Sequence, residues 1–207
     1  MKIVVITNDS LKEELLAQGA VDTAEMIWQQ ELHPVQDADA YIDLLFNNTA
    51  ERTERLKALQ PAPVIINAVT ATLEGLPAGF ARVNGWNSFL KRPLVEASAN
   101  GTVTAAVEKI FSCFNKTVEW VPDVPGFITA RVVSMVINEA WFALDEKVST
   151  KKEIDTAMKL GTNYPYGPFE WGEIIGPEKV VELLAALARV NSRYQPAALL
   201  EQEVLHP

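Results

Sequence analysis

The residues able to carry protons or ligate a metal are few in this chain. It holds two histidines and one cysteine, at spacings that offer no metal-ligand set. His33 lies in the loop-like ELHPV and His206 in the terminal LHP. An imidazole titrates near neutrality, but His33 could act as a base only if its loop folded over the site. Cys113 sits in AAVEKIFSCF among Ile and Phe, the setting of a packed thiol and not of a nucleophile. A lone cysteine also rules out an intrachain disulfide and fits a reducing compartment. Lys91 and Arg92 form an adjacent pair in a loop-like stretch and could meet a phosphate, although such a pair is ordinarily just hydrated.

The stretch KIVVITNDSLKEELLAQ poses a sharper chemical question. A β-branched strand running straight into a capped helix is how a nucleotide-binding α/β domain opens, with phosphates held by backbone N–H groups at the helix N-terminus. Here the turn TNDS carries no glycine, no G-x-G occurs anywhere in the chain, and Asp9 sets a carboxylate where phosphates should sit. Like charge in place of a cradle argues against dinucleotide binding in the usual manner.

The elements that must position these residues follow from periodicity. Lys2 to Thr7 reads as a buried parallel-type strand. Ser10 with Glu13 predicts a capping box opening a helix over about Leu11 to Gln18, closed by Gly19. AEMIW, AYIDLLF and APVIINAV are strand candidates, and TAERTERLKAL is a helix with Thr49 as N-cap, giving β-α-β-β-α-β. Two short strands, ARVNGW and RPLVEAS, a helix TVTAAVEKIFSCF capped near Gly101–Thr102, and a strand TVEWV come next. VPDVPGF then breaks the pattern with two prolines and a glycine, and every later segment has helical spacing. GFITARVVSMVINEAWFALDE spans more than five turns; Thr150 with Glu153 opens KKEIDTAMKL, which Gly161 closes; Pro177 opens EKVVELLAALARV. The domains are therefore expected over 1–122 and 123–207.

With 48% apolar and 22% charged residues in 207, the chain can bury one full core or two modest ones. A net charge of −9 repels a phosphate backbone, so nucleic acid is not an expected partner, whereas a few local cations can still hold a coenzyme. No stretch approaches the roughly 18 apolar residues of a membrane span, and no leader-like segment opens the chain. A cytoplasmic protein without membrane partners is expected.

From Asp123 to Leu184 the motifs D-x-P-G-F-I, N-E-A, E-x-I-D-T-A-M-K-L-G and Y-P-x-G-P-F-E closely resemble the C-terminal helical domain of the 3-hydroxyacyl-CoA dehydrogenase family, and RYQPAALL resembles a later segment of it. DADAYIDLLFNNTAERTERLKALQPAPVIINAVTATL and GWNSFLKRPLVE are similar, more weakly, to its nucleotide-binding domain. The resemblance implies a shortened Rossmann-like α/β domain followed by a helical domain, an acyl-CoA held between them, NAD on the first, and a homodimer through the helices.

The resemblance also locates the family's functional side chains. Asn87 stands at the general-base histidine, and an amide cannot take a hydroxyl proton near neutrality. Glu96 matches the glutamate that orients that histidine; a strand-end glutamate is otherwise a solvated or salt-bridged surface residue. The family serine falls on Ala71, with Thr70 and Thr72 as neighbouring hydroxyls, and the family asparagine falls on Ala130. Lys91 and Arg92 lie between the histidine and glutamate positions, where they could meet a phosphate or an acyl-CoA thioester. Tyr164, Tyr166, Phe169 and Trp171 are expected to pack between helices and not to form a ligand platform. The chain's own residues thus predict no cofactor, and NAD enters only by resemblance. Three readings stay open: a non-catalytic homologue that binds an acyl-CoA or another small ligand, a structural or interaction homodimer, and an active dehydrogenase with a rearranged site.

Overall fold

Four consecutive β-branched residues, Ile3 to Ile6, are fully buried in strand β1 (Lys2–Ile6). Alternation sends Ile3 and Val5 to one face of the sheet and Val4 and Ile6 to the other, and each pair joins a separate hydrophobic core. A strand buried on both faces needs helices on both. The computed structural model, which describes residues 1–205, builds that arrangement. His206 lies outside the described residues.

The first of two compact units, Met1–Phe127, runs β1, α1 (Asp9–Leu16), β2 (Glu25–Gln29), β3 (Ala40–Asp43), α2 (Ala50–Lys57), β4 (Val64–Asn67), β5 (Phe80–Val83), β6 (Leu94–Ala99), α3 (Thr104–Ser112) and β7 (Thr117–Trp120). Its sheet has the order β2-β1-β3-β4-β5-β6-β7. The first five strands are parallel, β6 is antiparallel to β5, and β7 is parallel to β6. Strand order therefore switches direction at β1 and β3, the place where open α/β sheets bind ligands outside the carboxyl ends of their strands. Leu11 and Leu15 of α1 and Val107, Ile110 and Phe111 of α3 fill one core; Leu56 of α2 joins the other. This is the Rossmann-like α/β architecture expected.

The second unit, from Ile128 onward, is helical among the described residues: α4 (Thr129–Asp145), α5 (Lys151–Thr162), α6 (Pro168–Ile175), α7 (Pro177–Ala188), a one-turn 3-10 helix (Ser192–Tyr194) and α8 (Ala198–Leu205). The N-E-A and I-D-T-A-M motifs of this unit have structural explanations. Buried Asn138 on α4 donates to the carbonyl of Gln195 at 3.0 Å and accepts from the amide of Ala197 at 2.8 Å. Asp155 on α5 accepts from the amides of Phe169 at 2.8 Å and Glu170 at 3.3 Å, satisfying donors at the start of α6. Phe169 packs edge-on against Trp141, and Tyr164 against Trp171, with centroids 5.2 and 5.7 Å apart. Phe169 and Trp171 are buried, whereas Tyr164 and Tyr166 are half-buried.

Three helix ends differ from the sequence expectation. Asn8, not Ser10, caps α1: its backbone is extended and its Oδ1 accepts from the Leu11 amide at 2.9 Å. That placement leaves Ser10 inside the first turn. Val103 precedes α3 without a side-chain cap, so neither Gly101 nor Thr102 performs that role. Helix α5 continues through Gly161 and stops at Asn163, whose left-handed backbone (φ 57°) asparagine tolerates. The Thr49 cap and the Thr150–Glu153 capping box form as expected.

Candidate functional site

The carboxyl ends of β1, β3, β4 and β5 share one edge of the first unit's sheet, and antiparallel β6 begins there. Four short segments meet at that edge: the elbow Thr7–Ser10, the turn after β3, the loop after β4 carrying Thr70 and Thr72, and the loop after β5 carrying Asn87.

Asn67 fastens the β4 and β5 ends together. Its Nδ2 donates to the carbonyls of Leu44 and Gly85, each at 3.2 Å, and its Oδ1 accepts from the Gly85 amide at 3.0 Å. Gly85 is required by this closeness, since a Cβ there would lie 2.7 Å from Asn67 Cγ. Two residues on, half-buried Asn87 turns to the elbow and donates from Nδ2 to Ser10 Oγ at 3.0 Å. Ser88 is buried with a left-handed backbone (φ 76°), and its amide donates to both carboxylate oxygens of Glu14 at 2.8 and 3.0 Å. A non-glycine residue in that conformation is held by its surroundings, here by the Glu14 clamp.

Glu96 is not the surface carboxylate its strand-end position suggests. It is 6% exposed, and its Oε2 accepts from Asn84 Nδ2 at 3.0 Å. The β5–β6 pairing that brings Asn84 opposite Glu96 is the cause. Thr70 and Thr72 are half-buried in the loop after β4, where Thr72 Oγ1 accepts from the Glu74 amide at 3.4 Å. Lys91 is half-buried and Arg92 exposed; the Arg92 guanidinium lies 5.5 Å from the Phe89 ring centroid. Ala71 is half-buried beside the two threonines, and Ala130 is buried in α4 of the second unit. Exposed His33 stands 3.9 Å from Glu31.

Several residues without a sequence signal hold this edge together. Lys116, buried at the start of β7, donates from Nζ to the carbonyls of Leu90 at 2.7 Å and Arg92 at 2.8 Å. Burial pulls its ammonium from 10.5 down to about 8, against the attraction of Glu14. Asp43 at the end of β3 is fully buried and paired twice with Arg52, at 2.7 and 2.9 Å. Arg82 of β5 is also fully buried. It pairs through Nε with Asp123, donates to the carbonyls of Ala68 at 3.0 Å and Val124 at 2.7 Å, and stacks 4.1 Å from the Phe127 centroid. Asp123 in turn accepts from the Leu73 amide at 2.9 Å, so this one pair secures both ends of the Thr70–Thr72 loop. Burial lowers the affinity of Arg82 for its proton, and Asp123 opposes that effect.

At the elbow, Asn8 Oδ1 takes the Leu11 amide and exposed Asp9 places a carboxylate in the first turn of α1. Both occupy the helix N-terminus with the chain's own acceptors, where a phosphate would need donors and positive potential.

A family model for the 3-hydroxyacyl-CoA dehydrogenase C-terminal domain matches residues 126–207. A probable 3-hydroxybutyryl-CoA dehydrogenase of Bacillus subtilis is 31% identical over 196 residues, covering 84% of this chain and 67% of that protein. The 3-hydroxyadipyl-CoA dehydrogenase of Escherichia coli is 46% identical over 92 residues, 44% of this chain but 19% of its own length. The crystal structure of an (S)-3-hydroxybutyryl-CoA dehydrogenase from Ralstonia eutropha matches with a TM-score of 0.79 over 99% of this chain and 93% of that one. At 18% identity that likeness speaks for the fold alone.

Proposed function

Because the chain belongs to the 3-hydroxyacyl-CoA dehydrogenase family, we propose that it keeps the family fold as a non-catalytic protein that binds an acyl-CoA or a related small ligand. The edge formed by Asn87, Glu96 and the Thr70–Thr72 loop is the ligand site. One observation carries the reading. Asn87, at the position of the family's general-base histidine, gives its amide to Ser10, while the buried Glu96 carboxylate accepts from Asn84. Neither amide has a pKa that would let it take a hydroxyl proton, and proton removal from the 3-hydroxyl is what that position exists to do.

The elbow supports the same conclusion for the cofactor. NAD does not fit the residues at Thr7–Ser10, because a pyrophosphate needs close, free amide hydrogens, and Asn8 and Asp9 supply acceptors instead. No step of a reaction is therefore assigned to NAD. Lys91 and Arg92 remain the candidate contacts for a coenzyme phosphate, with the Lys116 ammonium holding the carbonyls on either side of Lys91.

A homodimer through the helical unit is compatible with this role. Ile128, Val148 and Leu160 are large apolar side chains left 54, 68 and 82% exposed in that unit, the sort of surface a second copy covers. An active dehydrogenase with a rearranged site lacks a comparable supporting feature. The assay that decides is NADH oxidation with acetoacetyl-CoA, followed by absorbance at high enzyme concentration. No turnover above background is expected, and turnover abolished by Glu96→Gln overturns the non-catalytic reading.

A further inference from the structure

Strand β2 forms one border of the first unit's sheet, with β1 as its single strand neighbour among the described residues. Its bonding direction is fixed at both ends: the Glu25 amide donates to the Met1 carbonyl and the Gln29 carbonyl accepts from the Thr7 amide, each at 2.8 Å. Backbone groups alternate sides along a strand, so Glu25, Ile27 and Gln29 face β1 while the N–H and C=O of Met26 and Trp28 point outward. Such an edge is a template for another strand unless charge, proline or a bulge blocks it. The central residues Met26, Ile27 and Trp28 include neither charge nor proline. All three are half-buried, Met26 and Trp28 against one core and Ile27 against the other.

We infer that β2 pairs antiparallel with β2 of a second copy, about a two-fold axis through Ile27, so that one sheet runs through both chains. In this register Met26 of each copy faces Trp28 of the other. The outward groups, two N–H and two C=O on each strand, then form four hydrogen bonds with none left over. The two Met–Trp pairs set a thioether against an indole, a favourable contact, and Ile27 meets its own copy. Charge also permits the register, because each Glu25 lies opposite an uncharged Gln29. The far border of the sheet shows the contrast. On β7 the Thr117 amide and, just beyond the strand, that of Val121 donate to the Pro93 and Ala97 carbonyls at 2.8 and 2.9 Å, which turns Val118 and Trp120 outward. The equivalent two-fold there sets exposed Glu119 against its own copy, and like charges directly opposite oppose pairing. The β2 contact uses the first unit alone, so it is separate from pairing through the helical unit. Five residues a side bury less than the ~1,200 Å² of a stable interface, so the pairing is weak, with a dissociation constant on the order of 100 μM.

The test is disulfide trapping on the full chain, together with sedimentation up to about 500 μM, several times that constant. Cys113, the one native cysteine, is buried, so an introduced thiol reports alone. Ile27→Cys sets two thiols on a non-hydrogen-bonded pair with Cα atoms ~4.5 Å apart, within disulfide reach, whereas Met26→Cys leaves them ~8 Å apart. Under mild oxidation Ile27→Cys should cross-link at least ten-fold faster than Met26→Cys. Sedimentation should show a concentration-dependent step. Met26→Pro deletes an outward N–H that β1 does not use, and should abolish that step. Gln29→Glu, which sets two like-charge pairs across the two-fold, should weaken the step about ten-fold, and Gln29→Lys, which makes two opposite-charge pairs, should strengthen it. Equal cross-linking of the two cysteine variants overturns the proposal. So does a sedimentation profile without the step, or with one that Met26→Pro and Gln29→Glu leave unchanged, as pairing through the helical unit alone would give.

Discussion

Asp123→Ala tests how the loop bearing Thr70 and Thr72 is held. The substitution strips Arg82 of its carboxylate partner and the Leu73 amide of its acceptor in one step. Removing one member of a buried ion pair costs about 3–5 kcal/mol because the remaining charge is left uncompensated. The Arg82 side chain is fully buried while that of Asp123 is 29% exposed, which places the loss near the lower end, about 3 kcal/mol. For a chain of this size each kcal/mol moves the thermal midpoint by about 2–4 °C, giving a fall of roughly 6–12 °C. Circular dichroism melts measure it, and hydrogen exchange at the Val69–Leu73 amides should accelerate together with it. Arg82→Met combined with Asp123→Leu removes both charges, so the double variant should lose well less stability than the sum of the two single losses. A midpoint within about 2 °C of the parent for Asp123→Ala, below the 1 kcal/mol level, would contradict a structural role for the pair.

Other perturbations have equally definite outcomes. With Lys116 lowered to about 8 in the folded protein, the unfolded chain binds more protons between about pH 8 and 10.5. Stability should rise through that window by up to about 3 kcal/mol, and Lys116→Met should flatten the slope in pH-dependent urea melts. Asn8→Ala should destabilise by about 1 kcal/mol and Ser10→Ala by clearly less, because only Asn8 caps α1; equal losses in urea titration would return the cap to Ser10. Gly167→Ala puts a methyl group 2.3 Å from Asp155 atoms, so it should cost about 1–3 kcal/mol and shift the Phe169 amide resonance. Asn87→His should leave NADH oxidation at background, since the elbow still offers no dinucleotide site; measurable turnover in that variant would contradict the account of Asn8 and Asp9.

Local signals made much of the fold legible. The Ile3–Ile6 run, the Thr49 cap and the Thr150–Glu153 box each depend on neighbours in sequence, and each took its expected form. The S-x-x-E spelling at Ser10–Glu13 misled because Asn8, two residues earlier, was an equally good acceptor with the extended backbone a cap needs. Contacts set by tertiary structure were out of reach. Glu96 is buried because strand pairing delivers Asn84 to it from twelve residues away, and nothing in PLVE announces that. Lys116 looks like any lysine entering a strand, since its partners are two backbone carbonyls in another loop. The Arg82–Asp123 pair joins positions 41 residues apart within the first unit. Candidate positions at Asn87, Thr70 and Thr72 were legible only through family resemblance, because an amide or a hydroxyl in a loop carries no chemical signal of its own.

The most direct measurement is a pair of calorimetric titrations on the same protein preparation, one with NADH and one with acetoacetyl-CoA. Heat from the CoA ester, with none from NADH at any attainable concentration, is the predicted result. Saturable NADH binding with a micromolar dissociation constant would contradict the claim that Asn8 and Asp9 close the elbow to a pyrophosphate.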